Sequence, residues 1–278
     1  MPLAVQWGAF ETSEPLAVLT FDDRPAWAEA AEGLIRSHYL DSLEYGLDSR
    51  VTLLYYHLDN RSGYAFGDDQ LYFAASTVKV ALALGVGMYI EAGYFGLDTV
   101  VFYESERDWD PWANYLTEQE LLQGATVESL LFNMLAYSCN VSTNMLLKIT
   151  NFQAHHVYLA AIGYPMEMPD RNLLTPEQCL MTFYDLYQQR ELPYYARVID
   201  WLNQTNYHLR LDRDLPEEVV VIHKYGDFDI WFHDVGIVFA PEPYLLLVYT
   251  EEVADPNALI SALSLLIYES QSGIMLGS

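Results

Sequence analysis

Residues 219–250 read VVVIHKYGDFDIWFHDVGIVFAPEPYLLLVYT. Three runs, 219–225, 231–239 and 244–250, are rich in β-branched and aromatic residues, which favour a pleated, half-buried surface. Gly226-Asp227-Phe228-Asp229 and Ala240-Pro241-Glu242-Pro243 separate them with turn-forming residues. The pattern is an antiparallel meander. Directly after it, Pro256 opens a helix that runs to about Ser270, proline being suited to a first helical position.

The other end of the chain supplies matching pieces. Ala28, Ala31, Leu34 and Ile35 recur at helical spacing within 26–40. Two further strand-like runs, 51–58 and 64–73, flank the turn residues Asp59-Asn60-Arg61-Ser62-Gly63 as a hairpin. The middle, roughly 80–210, lacks strand alternation. It holds helical segments at 76–91, closed by Gly93, and at 126–137, with Thr126 as N-cap, and a third opened by Thr175-Pro176-Glu177. The expected fold class is α/β (α+β): an antiparallel sheet flanked by helices from both chain ends, with an inserted all-helical lobe. Residues 1–25 form an irregular lead-in. One domain, 26–272, then comprises an α/β lobe of about 26–75 and 215–272 and a helical lobe of about 76–214.

Composition narrows the function. Of 278 residues, 52% are hydrophobic, so a packed core is affordable without metals or disulfides. Thirteen Lys and Arg face 39 Asp and Glu, a net charge of −26 that excludes nucleic acid and anionic membrane surfaces as partners. Cys139 and Cys179 are too few for a disulfide framework and show no zinc-ligand spacing. The adjacent His155 and His156 read as helix-surface residues. No apolar run reaches the ~18 residues of a membrane span, and 1–20 lack the basic region of a signal peptide. The chain has only three lysines, Lys79, Lys148 and Lys224.

Two of those lysines fall in short polar motifs. Ser76-Thr77-Val78-Lys79 is S-x-x-K at a helix start, where residues i and i+3 share a face and burial can bring the amine toward neutrality. Ser138-Cys139-Asn140 is S-x-N just after a helix, and Lys224-Tyr225-Gly226 is K-x-G at the end of the first meander strand. Singly, each reads as ordinary structure: a helix N-terminus, an interhelical turn and an edge-strand charge. In this order, the set resembles the penicillin-recognising serine hydrolases, class A β-lactamases in particular. The likeness runs from about Ala26 to Ser272 and includes His223 and the stretch from His233 to Val238.

The resemblance implies roles. Ser76 is the acylated nucleophile, Lys79 its general base, Ser138 the proton carrier to the leaving nitrogen and Lys224 a source of positive potential. Asn140 binds the substrate amide, Tyr225 and Gly226 line the substrate site, and the N–H groups of Ser76 and Asp227 form the oxyanion hole. No metal or other cofactor is expected. The expected partner is a small or peptide-like substrate carrying a carboxylate, and the family works outside the cytoplasm. Lys79 and Lys224 would concentrate positive charge locally on an acidic protein. Alternatives on the same machinery are a penicillin-binding, D,D-peptidase-like or esterase activity with slow deacylation, or a silent binding domain.

Three positions depart from the class A pattern. Tyr225 replaces the small hydroxyl residue of K-x-G and narrows the cleft. Cys139 replaces an aspartate, with its side chain expected in packing. The stretch between Leu159 and Thr175 lacks the family's glutamate-to-asparagine spacing, and its single glutamate, Glu167, reads first as a solvated loop carboxylate.

Overall fold

A computed structural model describes residues 19–164 and 172–273 of the chain. Most of the lead-in, and Glu167, lie outside the described residues. The chain divides into two compact units, one built on the sheet and one helical.

The sheet unit takes its strands from both chain ends, as the sequence implies. They are β1 (Arg50–His57), β2 (Ser62–Phe66), β3 (Val220–Phe228), β4 (Trp231–Phe239) and β5 (Tyr244–Glu251), in the spatial order β2-β1-β5-β4-β3. Every neighbouring pair is antiparallel, and β1 meets β5 with Tyr55 opposite Leu246. Helices Ala28–Glu44 and Pro256–Gln271 close one face over a core that includes Ile35, Leu53, Tyr55, Leu246, Leu263 and Ile267. Tyr56 faces the other way, and its ring meets Tyr184 of helix Pro176–Gln188 edge-on, 5.7 Å between centroids. Covering both faces explains why these strands read as nearly continuous apolar runs. Asp255 caps the last helix, accepting from the Ala258 N–H at 3.0 Å.

Three sequence expectations are corrected here. The second hairpin strand stops at Phe66, because Gly67 turns the backbone to φ +89°. Tyr72–Phe73 instead pairs with Leu173–Leu174 in a separate two-stranded sheet. The first meander strand runs through the expected turn residues to Phe228, which pairs with Trp231. The actual turn is Asp229-Ile230, with Asp229 at φ +52°, a left-handed geometry that aspartate tolerates. Packing holds this extension: the Phe228 and Trp231 rings sit 4.9 and 5.3 Å from Phe73. Finally, helix Pro176–Gln188 and residues 207–214 group with the sheet rather than with the helical lobe.

The helical unit contains Val78–Glu91, Val127–Ala136, Asn140–Ile149, Ala154–Ala161 and Pro193–Leu202. Thr126 caps its helix as expected, accepting from Ser129 N–H at 3.1 Å. Gly85 lets Val78–Glu91 touch the backbone of Ala154, where any side chain would collide. That close approach buries His155, which is therefore not the surface residue the sequence suggested. No described helix is long and apolar enough to cross a membrane.

Candidate active site

In the sheet unit, Ser76 sits in a 3-10 turn, Ala75–Thr77, and the α-helix begins only at Val78. Ala75 holds φ +48°, an unusual backbone for a residue with a side chain, and such strain persists only where surroundings enforce it. The surroundings are hydrogen bonds. Thr77 Oγ1 donates to Ala74 O at 2.7 Å, and Ala74 N–H donates to Asn172 O at 2.9 Å. His233 Nε2 donates to Phe73 O at 2.9 Å, while its Nδ1 accepts from Thr250 N–H at 3.1 Å. One ring nitrogen thus donates and the other accepts, which needs a neutral imidazole. Burial agrees, lowering the His233 pKa to about 3.

Strand β3 passes close beside this turn. A side chain at Gly226 would meet Ala74 O at 2.9 Å, Ala75 Cβ at 3.1 Å and Ser76 N at 3.1 Å. The glycine of K-x-G is therefore a close-approach position, not a turn residue. Lys224 is buried, at 1% exposure, although β3 is the sheet edge. Its Nζ donates to Tyr225 O at 3.0 Å and lies 3.9 Å from the Tyr225 ring centre. Tyr225 in turn stacks on Tyr207, 3.8 Å away and 14° from parallel. The side chain that departs from the family pattern is thus held flat by an aromatic partner and a cation.

Arg210 carries no signal in the sequence, yet it organises this edge. Fully buried, its guanidinium donates to Gly226 O at 3.2 Å and His233 O at 2.7 Å and pairs with the Asp227 carboxylate. Its Nε donates to Asn257 Oδ1 at 2.7 Å. The fork geometry of arginine suits this set of oxygens.

In the helical unit, Lys79 lies on the first turn of Val78–Glu91 and is 3% exposed. Its Nζ donates to Ser138 O at 2.7 Å, Ser138 Oγ at 3.1 Å and Asn140 Oδ1 at 2.7 Å. Burial lowers its pKa to about 7, against smaller opposing effects of Cys139 and Asp110. S-x-N is shaped to receive this amine. Ser138 stands at φ +57°, and Asn140 opens the next helix rather than lying between two. Cys139, fully buried, accepts at Sγ from Ser142 N–H at 3.4 Å, so the cysteine is a cap as well as packing.

Asp110 was also invisible in the sequence. Its Oδ1 accepts from Asn140 Nδ2 at 3.2 Å and from the Trp112 N–H at 2.9 Å. Those contacts fix which end of the Asn140 amide faces Lys79. The third lysine, Lys148, is structural: it donates to Asp108 Oδ2 and Phe102 O, both at 2.7 Å.

The helical unit therefore brings Lys79, Ser138 and Asn140 together, and the sheet unit brings Ser76 against Gly226 and groups Lys224, Tyr225 and Asp227 around Arg210 and Tyr207. The loop glutamate, Glu167, falls outside the described residues.

The comparisons follow this geometry. No curated protein matches the chain. Among solved structures, a variant of the last common ancestor of Gram-negative bacteria class A β-lactamase is 24% identical, with TM-score 0.75, over 89% of this chain and 100% of that one. A β-lactamase from Sphaerobacter thermophilus is 20% identical, with TM-score 0.76, over 90% and 99%. PBP-A is 21% identical, with TM-score 0.72, over 92% and 100%. At such identities the likeness carries the fold, which is class A β-lactamase-like. A family model described as the β-lactamase enzyme family matches residues 37–271. With most of its length matched, the chain belongs to the β-lactamase enzyme family.

Proposed function

We infer that the protein is a serine acyl-transfer enzyme of class A β-lactamase type, opening a β-lactam or related amide through an acyl-Ser76 intermediate. One observation carries the reading: Lys79 is a buried amine titrating at about 7, three residues after Ser76 and hydrogen-bonded to Ser138 and Asn140. A lysine with that pKa can act as a base at neutral pH.

In the first step the Ser76 hydroxyl loses its proton to Lys79 Nζ as Oγ bonds to the substrate carbonyl carbon. The carbonyl oxygen becomes an oxyanion held by the N–H groups of Ser76 and Asp227, each worth about 3–4 kcal/mol to the transition state. The C–N bond then breaks, and the leaving nitrogen takes a proton through Ser138, beside the positive potential of Lys224. Water finally hydrolyses the Ser76 ester. Asn140 holds the substrate amide, and Tyr225, stacked on Tyr207, restricts the groups that fit near the substrate carboxylate.

PBP-A, one of the neighbours, has been solved as an acyl-enzyme complex with penicillin G. A persistent acyl-enzyme is the alternative outcome for the present chain, giving a penicillin-binding protein instead of a hydrolase. Intact-mass spectrometry with penicillin G, run beside a hydrolysis assay, separates the two. Turnover that vanishes in Ser76→Ala is expected of the hydrolase, and a lasting one-to-one adduct lost in the same variant identifies the penicillin-binding form. Neither adduct nor turnover across several β-lactams and simple esters overturns the enzyme reading.

Gly226→Ala provides an independent check. Its methyl group would press on Ala74 O and Ser76 N, and a backbone carbonyl cannot rotate out of the way. Acylation is expected to slow by about 100-fold, the scale set by small misplacements of reacting groups. Stopped-flow acylation rates, read beside a thermal melt showing a folded variant, test this. A rate within threefold of wild type contradicts it.

A further inference from the structure

Behind Lys224, on the same strand, the next residue is a histidine with nothing to bond. His223 is 1% exposed, and its Nε2 is buried without a hydrogen-bond partner. That nitrogen points toward Asp212, whose Oδ2 lies 3.5 Å away, while Asp212 Oδ1 is likewise buried and unpartnered. On the outer side, Nδ1 of the exposed His208 contacts the same Oδ2. Donor atoms of His208, Asp212 and His223 all lie within 4.8 Å of one another.

The far side of His223 is prepared as metal ligands usually are. Both oxygens of the fully buried Asp234 lie 3.0 Å from His223 Nδ1. Asp234 is itself fixed by the N–H groups of Leu211 at 3.2 Å and Val235 at 3.0 Å. A carboxylate on Nδ1 fixes the proton there, orients the ring and leaves the Nε2 lone pair facing outward.

We propose that His208, Asp212 and His223 form a zinc site, binding through Nδ1, a carboxylate oxygen and Nε2, with water as the fourth ligand. Bonds of ~2.0–2.1 Å in a tetrahedral site hold ligand atoms ~3.3 Å apart, close to the observed His223–Asp212 separation. Two imidazoles and a carboxylate suit zinc better than calcium or magnesium, which favour oxygen donors. The sequence concealed the site, because its ligand spacing matches no structural zinc motif. The ion would clamp β3 to the 208–212 segment, which also carries Arg210. The competing arrangement is a His223 ring protonated at both nitrogens and ion-paired with Asp212 and Asp234, with no role for a metal.

The test uses the full chain, free of affinity tags, stripped with chelator and titrated with zinc chloride by calorimetry and thermal melting. One equivalent should bind, and zinc at ~100-fold above its Kd should raise Tm by about 5 °C. Cobalt(II) in its place should show the visible absorption of a tetrahedral ion. His208→Ala, which removes an exposed ring, should weaken zinc binding at least 100-fold while the metal-free melt stays unchanged, and Asp212→Asn should weaken it as well. No binding at millimolar zinc, or wild-type affinity in His208→Ala, overturns the proposal. These readouts do not involve Ser76, so they stand or fall separately from the acyl-transfer reading.

Discussion

Lys79→Met is expected to slow acylation by about 1,000-fold at pH 8, within the range that a positioned base contributes. The methionine fills a similar volume but cannot accept the Ser76 proton. The wild-type enzyme should also show the titration directly. Because the neutral amine is the active form, its acylation rate should rise about tenfold per pH unit below pH 7 and flatten above it. Stability should respond over a different window. Burial drops this pKa from 10.5 to about 7 on folding, so between those values the unfolded chain holds more protons than the folded one. Folding stability therefore rises with pH across that interval, and the full cost, about 5 kcal/mol, is present below it. Between pH 7 and 9 the wild type should gain about 2–3 kcal/mol relative to Lys79→Met, which has no such group. A flat acylation profile, or parallel stability curves for the two proteins, would show that Lys79 is a permanently charged structural residue.

The second large effect is on the fold. Arg210→Met should cost about 3 kcal/mol and lower Tm by roughly 6–12 °C. The substitution leaves the carbonyls of Gly226 and His233, 3.2 and 2.7 Å from the lost guanidinium, without that donor, at about 1–3 kcal/mol for each buried group left unsatisfied. Asp227 adds little, because its side chain is 39% exposed and water replaces the lost ion pair. Arg210→Lys should recover less than half of the loss, since one ammonium cannot reach oxygens spread around a planar fork. Chemical denaturation of the three proteins checks the order. A Tm shift below 2 °C for Arg210→Met would mean that β3 holds its edge without this residue. Arg210 acts through Gly226 and Asp227, so the surviving folded fraction should also acylate more slowly.

Both predictions concern residues whose visibility in the sequence was very different. Lys79 stood out because the chain has three lysines and the S-x-x-K spacing places one of them a helical turn beyond a serine. Its pKa did not stand out, since desolvation depends on what surrounds the amine. Arg210, Asp110 and Tyr207 gave no signal at all. Each acts through partners 16 to 47 residues away, and no local spacing encodes such contacts. Gly226 was seen but misread: its neighbours have turn chemistry, yet the Phe73–Phe228–Trp231 aromatic cluster favours extending the strand by two residues.

The sequence by itself determined the elements that local pattern controls. Alternation and turn residues specified the meander, Thr126 and Pro256 marked helix starts, and three ordered motifs pointed to the family. Tertiary structure decided what depends on proximity. It set the strand order that joins the two chain ends, the left-handed backbone at Ala75 and Ser138, and the burial that brings Lys79 near neutrality. It also left the Nε2 of His223 facing Asp212 and His208. The physical reason is the range of the forces: backbone propensity and side-chain periodicity act over a few residues, whereas desolvation, hydrogen-bond satisfaction and close packing are settled by whichever distant groups the fold brings together.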